Sequence, residues 1–283
     1  MTVRLGPALW RVAEHDRAFL EAVDGLRHDR LEGFPGLRIL KRKESRFWGN
    51  LRAGGKEYFI KGRRIDRVRR SLRTFLRTSP MREEWRKAWW LREGGIETPE
   101  PVAVGEVRRL GLLRESFFAC RWMPGALSLR AFLEEKESSL SARGFERLRA
   151  RLLILMGRLF GSLHSRGALH WEFHEQNMLV VEESPGVERI VPIDLDHLVL
   201  PSPFRDEDRE WNFFQLAWYL RKPMSRWRLR AKDVIRFLKG YHEVLPLGAS
   251  SFEEFVRLRM ARLPPGPLPS RPRRGSFHQG LFR

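Results

Sequence analysis

The apolar positions of this chain change their period near residue 123. Before it they come as short alternating or continuous runs, and residues 37–40, 47–51, 56–61, 102–108, 110–114 and 117–123 predict strands. Gly54-Gly55 marks a hairpin turn, and a helix over 81–93 interrupts the strands, opened by Pro80 and closed by Gly94-Gly95. After residue 123 the helical period takes over. Ser128 caps a helix over 128–137, and 140–165 predicts a longer one with Leu148, Leu152, Leu155, Met156, Leu159 and Leu163 on its apolar face. Residues 206–221, which are apolar nearly all round, and residues 231–244 and 251–263 predict three more. Strands followed by helices give an α+β chain. It divides into an N-terminal extension (1–36, with a short amphipathic helix near 14–26), a small β-rich lobe (37–122), a mostly helical lobe (123–262) and a basic, Pro- and Arg-rich tail (263–283) that predicts disorder.

The helical half is interrupted once, over residues 163–200, by a polar loop, a strand, a turn at Ser184-Pro185-Gly186 and a second strand. The loop reads His170-Trp171-Glu172-Phe173-His174-Glu175-Gln176-Asn177, and the second strand ends in Asp194-Leu195-Asp196. Oxygen donors of this kind suit a hard divalent cation: Asp194 as the first ligand, Asn177 as the second and Asp196 as an alternative. His164, His170 and His174 have the spacing for a transition-metal set, but His170 reads better as a residue that holds the loop through its backbone, and each of the others has a better reading too. Upstream, Lys61 ends an apolar strand and Glu84 lies in the first turns of the 81–93 helix. Glu83 lies beside it in the same turns.

These segments resemble the protein-kinase-like fold, in which a loop H-x-D-x-x-x-x-N is followed by a hairpin and a metal-binding Asp. His170, Glu172 and Asn177 stand in that register, with Asp194 at the metal position. The family it is most similar to is the lipopolysaccharide core kinases, the Kdo and heptose kinases. The resemblance spans roughly residues 37–220 and also rests on Tyr58-Phe59-Ile60-Lys61, Glu84-Trp85, the segment from Gly94 to Pro101, and Ile193-Asp194-Leu195-Asp196. It implies a bilobal kinase-like fold, ATP and magnesium as cofactors, and a sugar hydroxyl of an anionic glycolipid as acceptor. Glu172 would then orient the acceptor and take its proton. Lys61, paired with Glu84 or alternatively with Glu83, would contact the ATP phosphates, and the backbone from Arg121 to Met123 would meet adenine. Two departures stand out: Glu172 replaces Asp, and no glycine-rich phosphate loop is present, which leaves residues 46–49 to do that work. The segment from Glu172 to Asn177 also looks like the E-x-H-x-Q-N stretch of siderophore synthetases that adenylate carboxylates. That likeness implies that His174 and Gln176 contact phosphate or metal.

Charge narrows the choice of partner. The chain carries 54 Lys and Arg against 35 Asp and Glu, a net charge of +19. Such an excess favours an anionic partner. It concentrates over 63–77, which predicts a basic amphipathic helix suited to an acidic substrate or to the cytoplasmic face of an inner membrane. The single Cys120 excludes an internal disulfide, and the N-terminus lacks the apolar core of a signal peptide, so a cytoplasmic location is expected. No fingerprint of specific nucleic-acid recognition is present, although Arg226-Trp227-Arg228 would allow nonspecific binding. Glu172 and the missing glycine loop leave a second reading open, a pseudokinase-type nucleotide-binding or scaffolding module. The quick passage from Leu200 to the 206–221 helix lacks the A-P-E end of a protein-kinase activation segment, which favours a glycolipid acceptor over a protein.

Overall fold

The computed structural model describes residues 1–13, 16–65, 78–200, 206–221 and 230–246. They form two compact units. One comprises residues 1–126 with 191–196, and the other comprises 127–190 with the described residues from 197 onward.

The first unit is built on a seven-stranded antiparallel sheet. Its strands are β1 (Thr2–Leu5), β2 (Ala8–Val12), β3 (Leu37–Lys43), β4 (Arg46–Ala53), β5 (Lys56–Arg64), β6 (Pro101–Arg109) and β7 (Leu112–Arg121), in the order β1-β2-β6-β7-β5-β4-β3. One face is apolar because the strands alternate: Phe47 and Leu51 on β4, Tyr58 and Ile60 on β5 and Phe117 on β7 are buried with Trp10 and Phe19. Trp10 stacks on Phe117 with ring centroids 5.6 Å apart and meets Phe19 edge-on at 5.7 Å. Helix α1 (Arg17–Ala22) supplies Phe19, and its cap Asp16 accepts from the Phe19 amide at 3.2 Å. Helix α2 (Pro80–Glu93) packs on β6 and β7. Ser79 caps it, and Met81, Glu84, Ala88 and Leu91 form its buried stripe, a helical stripe that includes one carboxylate.

Three expectations from the sequence change here. Residues 1–36 are not an appendage: β1 and β2 extend the sheet beside β6, because Ala8, Trp10 and Val12 alternate inward on a strand that Gly6 and Pro7 turn back onto β1. The two strands expected over 110–123 are one strand, β7. Its polar middle is not a turn, since the buried Glu115 accepts from Arg27 Nε at 2.7 Å and from the His28 amide at 2.8 Å. Residues 46–49 lie within β4, and the β3–β4 connection is only Glu44-Ser45. Of the basic segment 63–77, Arg63 and Arg64 close β5, and the remainder lies outside the described residues.

The second unit contains β8 (Leu127–Ser128), α3 (Leu129–Ser139), α4 (Ala142–Ser165), β9 (Leu169–His170), β10 (Met178–Ser184), β11 (Val187–Pro192, of which the first four residues belong here), β12 (Leu198–Val199), α5 (Asp206–Arg221) and α6 (Ala231–Val244). Its strands pair as β11-β10-β8 and β12-β9. The expected helix 251–263 and the tail 263–283 fall outside the described residues. Among the described residues, no helix is long and apolar enough to cross a membrane.

Helices α4 and α6 approach through glycines. A Cβ on Gly157 would overlap the Phe237 carbonyl, and one on Gly240 would overlap the carbonyl of Ile154. Because backbone cannot swing aside as a side chain can, either glycine is needed for the spacing. Gly157→Ala and Gly240→Ala should each lower the unfolding free energy by about 1–3 kcal/mol, read from urea midpoints at unchanged slope.

Candidate active site

The first unit buries a cation and surrounds it with carboxylates. Lys61 lies in β5 between Trp48 of β4 and Phe118 of β7 in strand register. Its ammonium is 2.5 Å from Glu84 Oε1 and 3.1 Å from Asp194 Oδ1. The partner on α2 is Glu84. Glu83, one residue earlier, points to Arg86 at 2.9 Å. Burial alone pushes the Lys61 ammonium down, but Glu84, Asp194 and Asp196 more than reverse this and hold it above its ordinary range, fully charged. Burial pushes the Glu84 carboxyl upward against the pull of Lys61.

The carboxylates of Glu84, Asp194 and Asp196 offer oxygens within 4.8 Å of one another. Among the described residues, Glu84 Oε2 is buried without a hydrogen-bond partner, whereas the Asp194 side chain is 43% exposed. Hard oxygens this close together, one of them unsatisfied, are a donor set that suits a divalent cation. Asp194 has φ +57°, a left-handed conformation that disfavours a residue with a Cβ. A short 3₁₀ turn (Leu195–His197) follows it. Lys87, one helical turn beyond Glu84 on α2, donates to the carbonyls of Leu195 at 3.1 Å and Asp196 at 2.8 Å.

At the end of β7, the Arg121 amide donates to Glu100 O at 2.8 Å and the Trp122 amide to Glu57 O at 3.0 Å. The Arg121 guanidinium pairs with Asp16 at 3.0 Å and lies over the Tyr58 ring. Tyr58 in turn donates to Asp16 at 2.6 Å. Met123 follows, its carbonyl accepting from the Ala126 amide at 3.2 Å.

In the second unit, the loop from His170 to Asn177 is tied down through its own backbone. The Glu172 amide donates to His170 Nδ1 at 3.3 Å, and the Gln176 amide to His174 Nδ1 at 3.2 Å. Asn177 closes the loop twice: its amide donates to His174 O at 2.8 Å, and its Nδ2 to Glu172 O at 2.8 Å. Helix α5 grips the same loop, with Asn212 Nδ2 on the His170 carbonyl at 2.7 Å and Gln215 Nε2 on that of Trp171. Glu172 itself is half-exposed and meets His197 Nε2 at 3.3 Å. His174 packs against Tyr219 with ring centroids 5.0 Å apart. His164 is buried between the Tyr241 hydroxyl and Asn212 Oδ1, each at 3.1 Å.

Four residues in these clusters escaped the sequence reading: Lys87, His197, Asn212 and Gln215. Asn212 and Gln215 carried a signal, as polar positions spaced i, i+3 within the mostly apolar run 211–220. Lys87 stands three residues after Glu84 and so shares its helix face.

Residues 40–241 match the family described as Lipopolysaccharide kinase (Kdo/WaaP) family. Among solved structures, the chain is similar to WaaP in complex with acyl carrier protein at 20% identity, covering 90% of this chain and 98% of that one with a TM-score of 0.58. Two others are the Toxoplasma gondii rhoptry antigen kinase domain (14% identity, 79% and 81% covered, TM-score 0.45) and the BubR1 kinase domain (12%, 73% and 52%, TM-score 0.44). No curated protein sequence matches. The protein-kinase-like α+β fold expected from the sequence is the fold of this chain.

The His164 network has a pH signature. Burial pushes its imidazole down to about 4 from an ordinary 6.5, against the hydrogen bond with Asn212. The folded chain then binds this proton less readily than the unfolded chain, so stability is full above pH 6.5 and falls as pH drops toward 4. At pH 5 the loss from this group is about 2 kcal/mol. Urea unfolding from pH 4.5 to 7.5 should give a flatter profile for His164→Gln than for the unsubstituted chain.

Proposed function

Because the chain belongs to the lipopolysaccharide kinase (Kdo/WaaP) family and is therefore a kinase, we propose that it transfers the γ-phosphoryl group of ATP to a sugar hydroxyl of an anionic glycolipid. The observation that carries this reading is the buried Lys61 ammonium, held charged between Glu84 and Asp194. A cation kept at that cost of burial is suited to the phosphates of a nucleotide.

Asp194 and Asp196, with Asn177 through its side-chain carbonyl, are the residues that would hold magnesium. When bound, the ion neutralises charge on the phosphates. Lys61 binds and orients the α- and β-phosphates, and Glu84 keeps its ammonium in place. Met123 offers backbone to the adenine edge. The Arg121 amide is already committed to Glu100, so Arg121 serves to fix the strand end instead. Glu172 orients the acceptor hydroxyl and accepts its proton, and the imidazole of His197 at 3.3 Å steadies the carboxylate. His174 and Gln176 take phosphate oxygens beside it.

The net charge of +19 favours an acidic acceptor and a peripheral position on the cytoplasmic face of an inner membrane. A protein partner enters only through the relative that was solved in complex with acyl carrier protein.

The test is phosphorylation of core oligosaccharide by the unsubstituted chain, with ATP and magnesium, beside Asp194→Ala and Lys61→Ala. Both variants should lose about 10²- to 10³-fold in rate and the magnesium-dependent thermal shift with ATP. Turnover that survives Asp194→Ala unchanged sinks the reading. Glu172→Gln should lower kcat by about 10²- to 10⁴-fold. Glu172→Asp, which keeps the carboxylate but withdraws it, should fall by no more than about 10²-fold.

A further inference from the structure

Lys87 has no part in the chemistry above, yet its ammonium is committed to the backbone of the acidic turn, donating to the carbonyls of Leu195 and Asp196. These carbonyls belong to the two residues after Asp194, whose left-handed backbone a residue with a Cβ adopts reluctantly. A turn of that kind persists where its surroundings hold it. Here the contacts close into a ring. Helix α2 carries Glu84, Glu84 holds Lys61, Lys61 meets Asp194, the chain continues to Leu195 and Asp196, and Lys87 returns their carbonyls to α2.

We propose that Lys87 is a positioning residue that clamps the Asp194–Asp196 backbone and so aims their carboxylates at the divalent cation. The proposal rests on the reading that the cation binds these carboxylates. It makes α2 the common frame for two parts of the machinery: the anion that holds Lys61, and the turn that carries the metal ligands.

The sign of the effect separates the clamp from simple electrostatics. A positive charge beside Asp196 opposes cation binding, so if charge dominated, removing it would tighten the metal. If the clamp dominates, removing it loosens the metal.

The experiment uses the full chain and two readouts. Mn²⁺ alone is titrated by electron paramagnetic resonance, with Asp194→Asn as the reference for loss of the site. Amide hydrogen exchange is followed by mass spectrometry over residues 191–199 without metal. Lys87→Met should exchange faster in that peptide and bind Mn²⁺ about 10- to 100-fold more weakly. Lys87→Arg, which keeps charge and donors, should stay within a few fold of the unsubstituted chain. Unchanged or tighter Mn²⁺ binding by Lys87→Met overturns the proposal, as does unchanged exchange. Should Lys87→Met fail to fold, Lys87→Gln decides by the same two readouts: wild-type values overturn the clamp, and faster exchange with weaker binding supports it. If Mn²⁺ binding is indifferent to Asp194→Asn, the cation reading itself has failed, and exchange alone then decides whether Lys87 clamps the turn.

Discussion

A buried ammonium needs anions at hand, and the first unit is arranged around that need. Leaving Lys61 unpaired in the interior would cost several kcal/mol, so the strand that carries it, the helix that carries Glu84 and the turn that carries Asp194 have to meet. Each depends on something further away. Lys61 reaches its place through the register of β4, β5 and β7. Glu84 comes inward because it sits on the buried stripe of α2 with Met81, Ala88 and Leu91. The approach to Asp194 is fixed upstream too, where the Thr98 hydroxyl donates to the Pro192 carbonyl at 3.0 Å.

The second unit solves a different problem, the holding of a polar loop without regular structure. It does so by capturing carbonyls. Asn212 and Gln215 take those of His170 and Trp171, and Asn177 takes that of Glu172. With the backbone held by these donors, the Glu172 carboxylate stays half-exposed and meets His197 instead of the loop's own backbone. The aromatic bed beneath is dense: Phe160 meets Phe173 edge-on at 4.7 Å, and His170 meets the same ring at 5.0 Å. That bed rests on α4, whose glycine contacts with α6 set its spacing.

Much of this was legible in the sequence, for identifiable reasons. Helices α2, α4 and α6 announce themselves by period, and α2 and α4 also by Pro80 and Ser141 at their starts. The pairing of Lys61 with a carboxylate of α2 was expected from the likeness to the protein-kinase-like fold, and the buried stripe of α2 selects Glu84 over Glu83. What stayed hidden has a common cause. Strands β1 and β2 are too short for their alternation to outweigh noise, and β7 looked broken because Glu115 is buried for reasons of distant partners, Arg27 and His28. Lys87 was unreadable because its partners are carbonyls, which every residue has, so no residue type marks the contact. His197 likewise gives no sign of its contact until the fold brings it to Glu172.

The order of the large sheet bears on how the basic excess is understood. Strand β3 lies at its margin, and from Arg38 onward it carries Arg38, Lys41, Arg42 and Lys43 on largely exposed positions. An open strand margin is a template for another chain, and a row of like charges is a common defence against such pairing. Charge of this kind resists such pairing, so the net charge of +19 need not be read wholly as an attraction for substrate.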